Sequence, residues 1–306
     1  MESYPGYLNC LGNGTLQQTA KTLMAELDDC TVCPHQCHVN RRKGELGYCH
    51  SGWNVEIGGY EPHFGEEPPL VGTYGSGTIF FSHCNLGCIF CQNWDISRKK
   101  GHELSPEGLG TIMLELQQEG CHNINLVSPS HYVPQIVAAV LYAAERGLHI
   151  PLVYNTSGYD NKTTLERISG LVDIYMPDFK YASSETGKQL SCVPSYWEVT
   201  TMAVKEMHRQ VGDLVINEQG IAHRGLIIRH LVLPGNLAET AKVMNFISKE
   251  ISPTSYINIM DQYFPEFKAK QYPSLDRRIT RTEFLEAVDA AKKASPTLRL
   301  THELLQ

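Results

Sequence analysis

Residues 78–93 read TIFFSHCNLGCIFCQN, and the fold is decided here. Thr78–Ser82 is a short apolar run rich in aromatic and β-branched residues, the composition of a buried strand. It leads directly into a C-x3-C-x2-C spacing at Cys84, Cys88 and Cys91. Five more runs of the same kind follow: NINLV (123–127), PLVYN (151–155), DIYMPD (173–178), LIIRHLVL (226–233) and YINIM (256–260). Helix-like segments lie between them. Ser105 can cap a helix through Glu119, and others span Pro134–Arg146, Thr163–Ile168, Tyr196–Val211 and Leu237–Ile251. Gly147, Gly170 and Gly212 stand where helices stop.

Six strand–helix units predict an α/β fold with parallel strands joined by crossover helices. The nearly continuous apolar strands fit a sheet covered on both faces. Six units are too few to close an eight-stranded barrel, which leaves a partial barrel or an open sheet. Polar and special residues gather at the C-terminal ends of the strands: Ser82 and Cys84, Ser128, Asn155 and Thr156, Asp178 and Lys180, Asp261 and Gln262. That end carries the site in both architectures.

The chain has 306 residues, 42% hydrophobic and 19% charged, with a net charge of −7. This composition excludes a disordered or fibrous protein. The acidic balance argues against general nucleic-acid binding. No apolar run is long enough for a membrane helix, and the start MESYPGYLNC lacks the pattern of a signal peptide. A reducing cytoplasm is therefore expected. There, ten cysteines point to metal or catalysis rather than to disulfides. Cys10, Cys121 and Cys192 are scattered and read as small buried hydrophobes.

Thiolates select zinc or iron–sulfur clusters. Cys84, Cys88 and Cys91 cannot complete a four-thiolate site. On a [4Fe-4S] cluster they would leave one iron open, as a reactive centre requires. A zinc site completed by His83 or His102, in a non-redox binding protein, is the alternative. The cysteines' place at the active end of the sheet favours catalysis.

The C-x3-C-x-Φ-C spacing, with Phe90 before the last cysteine, resembles the radical S-adenosylmethionine (SAM) superfamily. The segments CNLGCIFCQNW, INLVSPSHYVPQI, VYNTSGY, DIYMPDFKY, EMHRQVG, GLIIRHLVLPG and INIMDQY further resemble its pyruvate formate-lyase activating enzyme-like branch. The resemblance implies a partial (β/α)6 TIM-like barrel over residues 78–306, with a C-terminal helix and a cysteine-rich N-terminal extension over residues 1–77. It also implies a [4Fe-4S] cluster on Cys84, Cys88 and Cys91, with SAM on the open iron. By the same resemblance, one electron would cleave SAM, and the resulting 5′-deoxyadenosyl radical would take a hydrogen atom from the substrate. The cluster and SAM carry that chemistry, so no side chain is assigned as catalytic. The cofactor-binding candidates are Phe90 near the adenine, Ser128, Asn155 and Thr156, Asp178 and Lys180, and Arg229. Thr156 offers a hydroxyl donor. Lys180 either neutralises the SAM carboxylate or pairs with Asp178. Arg229 points inward to an anion, whereas His230 faces the other way as a satisfied core histidine. Where the family often carries a Gly-Gly-Glu turn, this chain has Ser128-Pro129-Ser130-His131. The similar Gly65-Glu66-Glu67-Pro68 lies ahead of the cysteines.

Cys30, Cys33, Cys37 and Cys49 supply four further thiolates, suited to structural zinc or an auxiliary [4Fe-4S] cluster. Arg41-Arg42-Lys43 reads as a solvated basic loop, with docking of an acidic electron donor as the alternative. The partners implied are an electron donor such as flavodoxin or ferredoxin, and a substrate. The substrate is a glycyl radical enzyme, another protein or a small molecule.

Overall fold

The computed structural model describes residues 4–301; positions 1–3 and 302–306 of the two expected segments lie outside the described residues. Helices α1 (Gly6–Gly12) and α2 (Thr15–Ala25) come first. α2 is amphipathic, burying Leu16, Ala20 and Leu23 on one face. The cysteine-rich loops follow, then β1 (Val55–His63), a single turn α3 (Pro68–Val71) and β2 (Ser76–Phe81). The stretch from Ile57 to Gly77 reads as loop from its glycines and prolines, but it is largely strand and helix. β1 pairs antiparallel to β2 along its length. β3 (His102–Leu104) covers only Val55–Ile57, so Pro62 sits where no ladder donor is needed.

The alternating units then build as expected. α4 (Trp94–Ser97) and α5 (Pro106–Gln118) precede β4 (Ile124–Val127), and Ser105 caps α5 by accepting from the Gly108 amide. α6 (Val133–Ala144), β5 (Leu152–Thr156), α7 (Lys162–Arg167) and β6 (Ile174–Pro177) continue the pattern. Next come α8 (Ser184–Ser191), α9 (Tyr196–Val211), the short β7 (Val215–Ile216) and β8 (Ala222–Leu231). α10 (Thr240–Phe246), β9 (Tyr256–Met260), α11 (Arg281–Ala294) and β10 (Arg299–Leu300) complete the described chain. α8 has no counterpart in the sequence reading, because SETGKQLS is too short and polar to show an apolar period.

All six expected strands form, and they lie side by side in the order β9–β8–β6–β5–β4–β2. Each adjacent pair among them is parallel. β10 extends the β9 edge, while β1 and β3 extend the β2 edge. The fold is a mixed α/β partial TIM-like barrel whose sheet does not close.

Helices and sheet share one large apolar core, and Tyr7, Leu16, Leu23 and Leu27 of the N-terminal segment belong to it. A second cluster holds Leu70 of α3 against Val153, Ile174, Met176, Ile227 and Tyr256 from the strands. A third supports the cysteine loop with Phe90, Tyr181, Leu190, Tyr196 and Tyr263. The end of α8 fastens that loop directly, since Gly87 N donates to Ser191 O at 2.7 Å and Ile89 N to Leu190 O at 2.9 Å.

Candidate functional site

Strand periodicity sends alternate side chains inward, and at one level the inward residues are polar. Thr78, Asn125, Asn155, Arg229 and Asn258 come from β2, β4, β5, β8 and β9. Buried amides and guanidinium groups need partners. The turn before α3 supplies them. Glu66 accepts from Asn125 Nδ2 at 2.9 Å, Asn155 Nδ2 at 3.1 Å and Arg229 Nη1 at 3.2 Å. Glu67 accepts from Asn258 Nδ2 at 2.8 Å.

Above this layer, at the C-terminal ends of the strands, lies a cavity of about 240 Å³. It is lined by Cys84, Cys88 and Cys91 and by every cofactor-binding candidate: Phe90, Ser128, Asn155, Thr156, Asp178, Lys180 and Arg229. Sequence positions up to 145 apart thus meet at one end of the sheet. Arg229 points inward, and its anions are protein carboxylates. Nε donates to Asp178 Oδ1 at 2.9 Å and Nη2 to Asn155 Oδ1 at 2.8 Å, alongside the Glu66 contact. Lys180 Nζ donates to Asp178 Oδ2 at 2.6 Å. His230 faces away, fully buried, bonded to Phe179 O and Thr240 Oγ1.

The charges explain one another. Burial alone pushes the Asp178 carboxyl up, but Arg229 and Lys180 outweigh it and hold it below the usual carboxylate range. Burial works against the Lys180 ammonium, and Asp178 more than compensates. Glu67 is pushed up by burial, and one of its oxygens is buried without a partner. Asp178 and Glu66 thus face Arg229 and Lys180 across the interior.

Some expectations need correction. The Thr156 hydroxyl donates to Asp160 Oδ2 at 2.6 Å, so it is not a free donor. Ser130 is buried and bonded to Thr156 Oγ1. Ser128 takes a left-handed backbone, φ 62°, beside the cavity. Arg41 is buried in the core rather than solvated, because its guanidinium finds backbone carbonyls there. Cys192 is exposed and Cys10 half-buried; only Cys121 behaves as a buried hydrophobe. The sequence reading missed Glu66, Glu67, Asn125, Asn258 and the cavity-lining Arg98. Asparagine inside the apolar runs INLV and YINIM was the available signal.

The three thiols fit an iron–sulfur cluster with one open iron. Neither His83 nor His102 lines the cavity. His83 lies against Glu56, at 3.3 Å. Among the described residues no three side chains of the cysteine, histidine, aspartate or glutamate type converge on a single-ion position. Burial pushes the Cys84 thiol up to about 12 and the Cys88 thiol in the same direction. The positive charge of a bound metal is what deprotonates such thiols. No helix among the described residues is long and apolar enough to cross a membrane.

Comparison with known proteins places this geometry in a family. An uncharacterized protein of Methanocaldococcus jannaschii, MJ0674, is 34% identical over 279 residues, covering 87% of this chain and 75% of that protein. A second from the same organism, MJ0808, is 25% identical over 224 residues, covering 62% of this chain and 66% of that protein. The maturase HydG of the [FeFe]-hydrogenase superposes with a TM-score of 0.49 at 11% identity, and methylornithine synthase with 0.46 at 13%. Each comparison covers 71% of this chain, which spans 49% and 61% of those chains. The radical SAM superfamily model matches residues 78–247, more than half of the chain and the whole run from the first core strand to α10. On that match, and on the cysteine loop at the head of the parallel sheet, the chain belongs to the radical SAM superfamily.

Proposed function

We propose that this chain cleaves S-adenosylmethionine at a [4Fe-4S] cluster and draws a hydrogen atom from a protein substrate. The observation that carries the reading is the single cavity shared by Cys84, Cys88 and Cys91 and the polar strand ends. Bound there, the cluster and SAM supply a 5′-deoxyadenosyl radical. The chain's own residues bind and orient. Three thiolates leave one iron without a protein ligand. Lys180, already paired to Asp178, keeps ammonium protons to offer a carboxylate. Phe90, Leu231 and Met260 give the cavity apolar walls that exclude water. Arg229 acts indirectly, by fixing Asp178 and Asn155.

The hydrogen donor in this proposal is a backbone glycine of a glycyl radical enzyme, supported by the pyruvate formate-lyase activating enzyme-like segments. The electron comes from a flavodoxin or ferredoxin. All ten cysteines are free thiols, which suits the cytoplasm.

The test is anaerobic reconstitution with iron and sulfide, reduction, and assay for 5′-deoxyadenosine. We expect product from the wild type and none from Cys88→Ala, with unchanged circular dichroism. No product from a filled cluster would refute SAM cleavage. Deuterium carried from α-deuterated glycine in the partner into 5′-deoxyadenosine supports the glycine substrate. Turnover with a small molecule and no such transfer would replace it.

A further inference from the structure

Cys30, Cys33, Cys37 and Cys49 line a cavity of their own, apart from Cys84, Cys88 and Cys91. Among the latter three, the sulfurs differ in what touches them. Cys84 Sγ accepts from the Leu86 amide at 3.3 Å, and Cys91 Sγ lies 3.5 Å from Ser97 Oγ. The shortest of these contacts is at Cys88, whose Sγ lies 3.0 Å from Ser191 Oγ, 103 positions along the chain.

Ser191 reaches Cys88 because α8 ends against the cysteine loop. Ser191 O accepts from Gly87 N and Leu190 O from Ile89 N, one bond on each side of Cys88. The helix stops at Cys192, which takes a left-handed backbone, φ 57°. A Cβ added at Gly87 would stand 2.8 Å from Cys192 Cβ, so the two segments meet with no side chain between them. Ser191 is fully buried, and so is Tyr181, whose hydroxyl lies 2.8 Å from Ser191 Oγ. The Tyr181 ring is wedged edge-on between Phe90 and Tyr196. Burial keeps water from replacing either hydroxyl.

The protons of this row have one possible order once metal is bound. Each hydroxyl has a single proton to give. Beside a protonated thiol the row could run either way. An iron-bound thiolate carries no proton and only accepts. Tyr181 must then donate to Ser191, and Ser191 to Cys88 Sγ. In a buried row each bond strengthens the next. A donor aimed at a cluster sulfur favours the reduced, more negative cluster. We infer that Ser191, oriented by Tyr181, is a positioning residue that raises the reduction potential of the cluster on Cys84, Cys88 and Cys91. The inference rests on the cluster of the proposed function, but on neither SAM cleavage nor the substrate.

The test is a redox titration of anaerobically reconstituted full-length protein, without SAM, followed by electron paramagnetic resonance. The part of the signal that Cys88→Ala lacks reports this cluster. Ser191→Ala keeps both backbone bonds to the loop and loses only the donor. It should lower the reduced fraction at a fixed potential about tenfold, which is about 59 mV for a one-electron couple. Ser191→Thr, which keeps a hydroxyl, should restore the potential. Tyr181→Phe should shift it less in the same direction, and should add nothing in the Ser191→Ala background. A filled cluster with an unchanged potential in Ser191→Ala would overturn the inference and leave the cluster standing. If Ser191→Ala assembles no cluster, Tyr181→Phe decides: a more negative potential supports the row, and an unchanged one refutes it. Wild-type protein that takes up no iron at these three cysteines would overturn the proposed function and this inference together.

Discussion

His230 shows how much one residue's setting is worth. It sits in β8 beside Arg229, yet the two point to opposite faces, one into apolar packing and one into the barrel. Burial lowers the His230 imidazole to about 4, from an ordinary value near 6.5. The native state therefore holds it neutral, while the unfolded chain takes up a proton near pH 6.5. Between these values the unfolded state binds more protons, so stability is full above pH 6.5 and is lost as pH falls toward 4. At about 1.4 kcal/mol per pKa unit, the loss approaches about 3 kcal/mol. His230→Leu should be less stable at pH 7, because Phe179 O and Thr240 lose their partner. Its stability should also fall less steeply between pH 6.5 and 4 in urea unfolding. Equal slopes would mean that His230 titrates alike in both states. Both orientations in the Arg229-His230 pair were legible from strand alternation alone. The partners of Arg229 were not, because Glu66 lies 163 residues away and in a loop-like stretch.

Among the elements, the strands were legible and the α3 plug was not. β2, β4, β5, β6, β8 and β9 announce themselves through apolar runs. α3 is four residues long, PPLV, and no periodicity can show in one turn. Its position follows from what it buries. Leu70 is fully buried among strand side chains, and Leu70 O accepts from Asn123 Nδ2 at 2.8 Å. The plug closes the lower end of the barrel and sets Glu66 and Glu67 against the polar layer. Leu70→Ala should cost about 2–5 kcal/mol. The same change should loosen the Asn155–Arg229–Asp178 arrangement above it and weaken SAM binding in calorimetry. Lost stability with unchanged binding would show that the plug and the cavity are independent. The α8 buttress was missed for a related reason: its work is done by backbone groups at Leu190 and Ser191, which carry no sequence signal.

For the molecule as a whole, the cysteine spacing marks off an N-terminal segment, but the packing ties that segment to the barrel. α2 lies on α6, Thr164 Oγ1 donates to Val32 O, and Asn161 Nδ2 donates to Thr31 O. A chain beginning at Asn54 would bare the face that Leu16, Leu23 and Leu27 cover. Such a chain should aggregate or bind hydrophobic dye, whereas a monomeric, cooperatively melting fragment would show that the barrel stands alone. Composition could not reveal this. It records which residues are apolar, not which apolar faces are shared.

The carboxylates of the plug also impose an order on biosynthesis. Glu67 leaves the ribosome well before its partner Asn258, which follows 191 residues later. At about 5–20 residues per second, that interval is about 10–40 s. For that time the nascent chain carries two carboxylates with no interior to enter, and the barrel cannot complete its polar layer until β9 emerges. A protein closed by its last core strand around one of its first turns assembles late and all at once, leaving unfinished strand edges that a chaperone can recognise in the meantime.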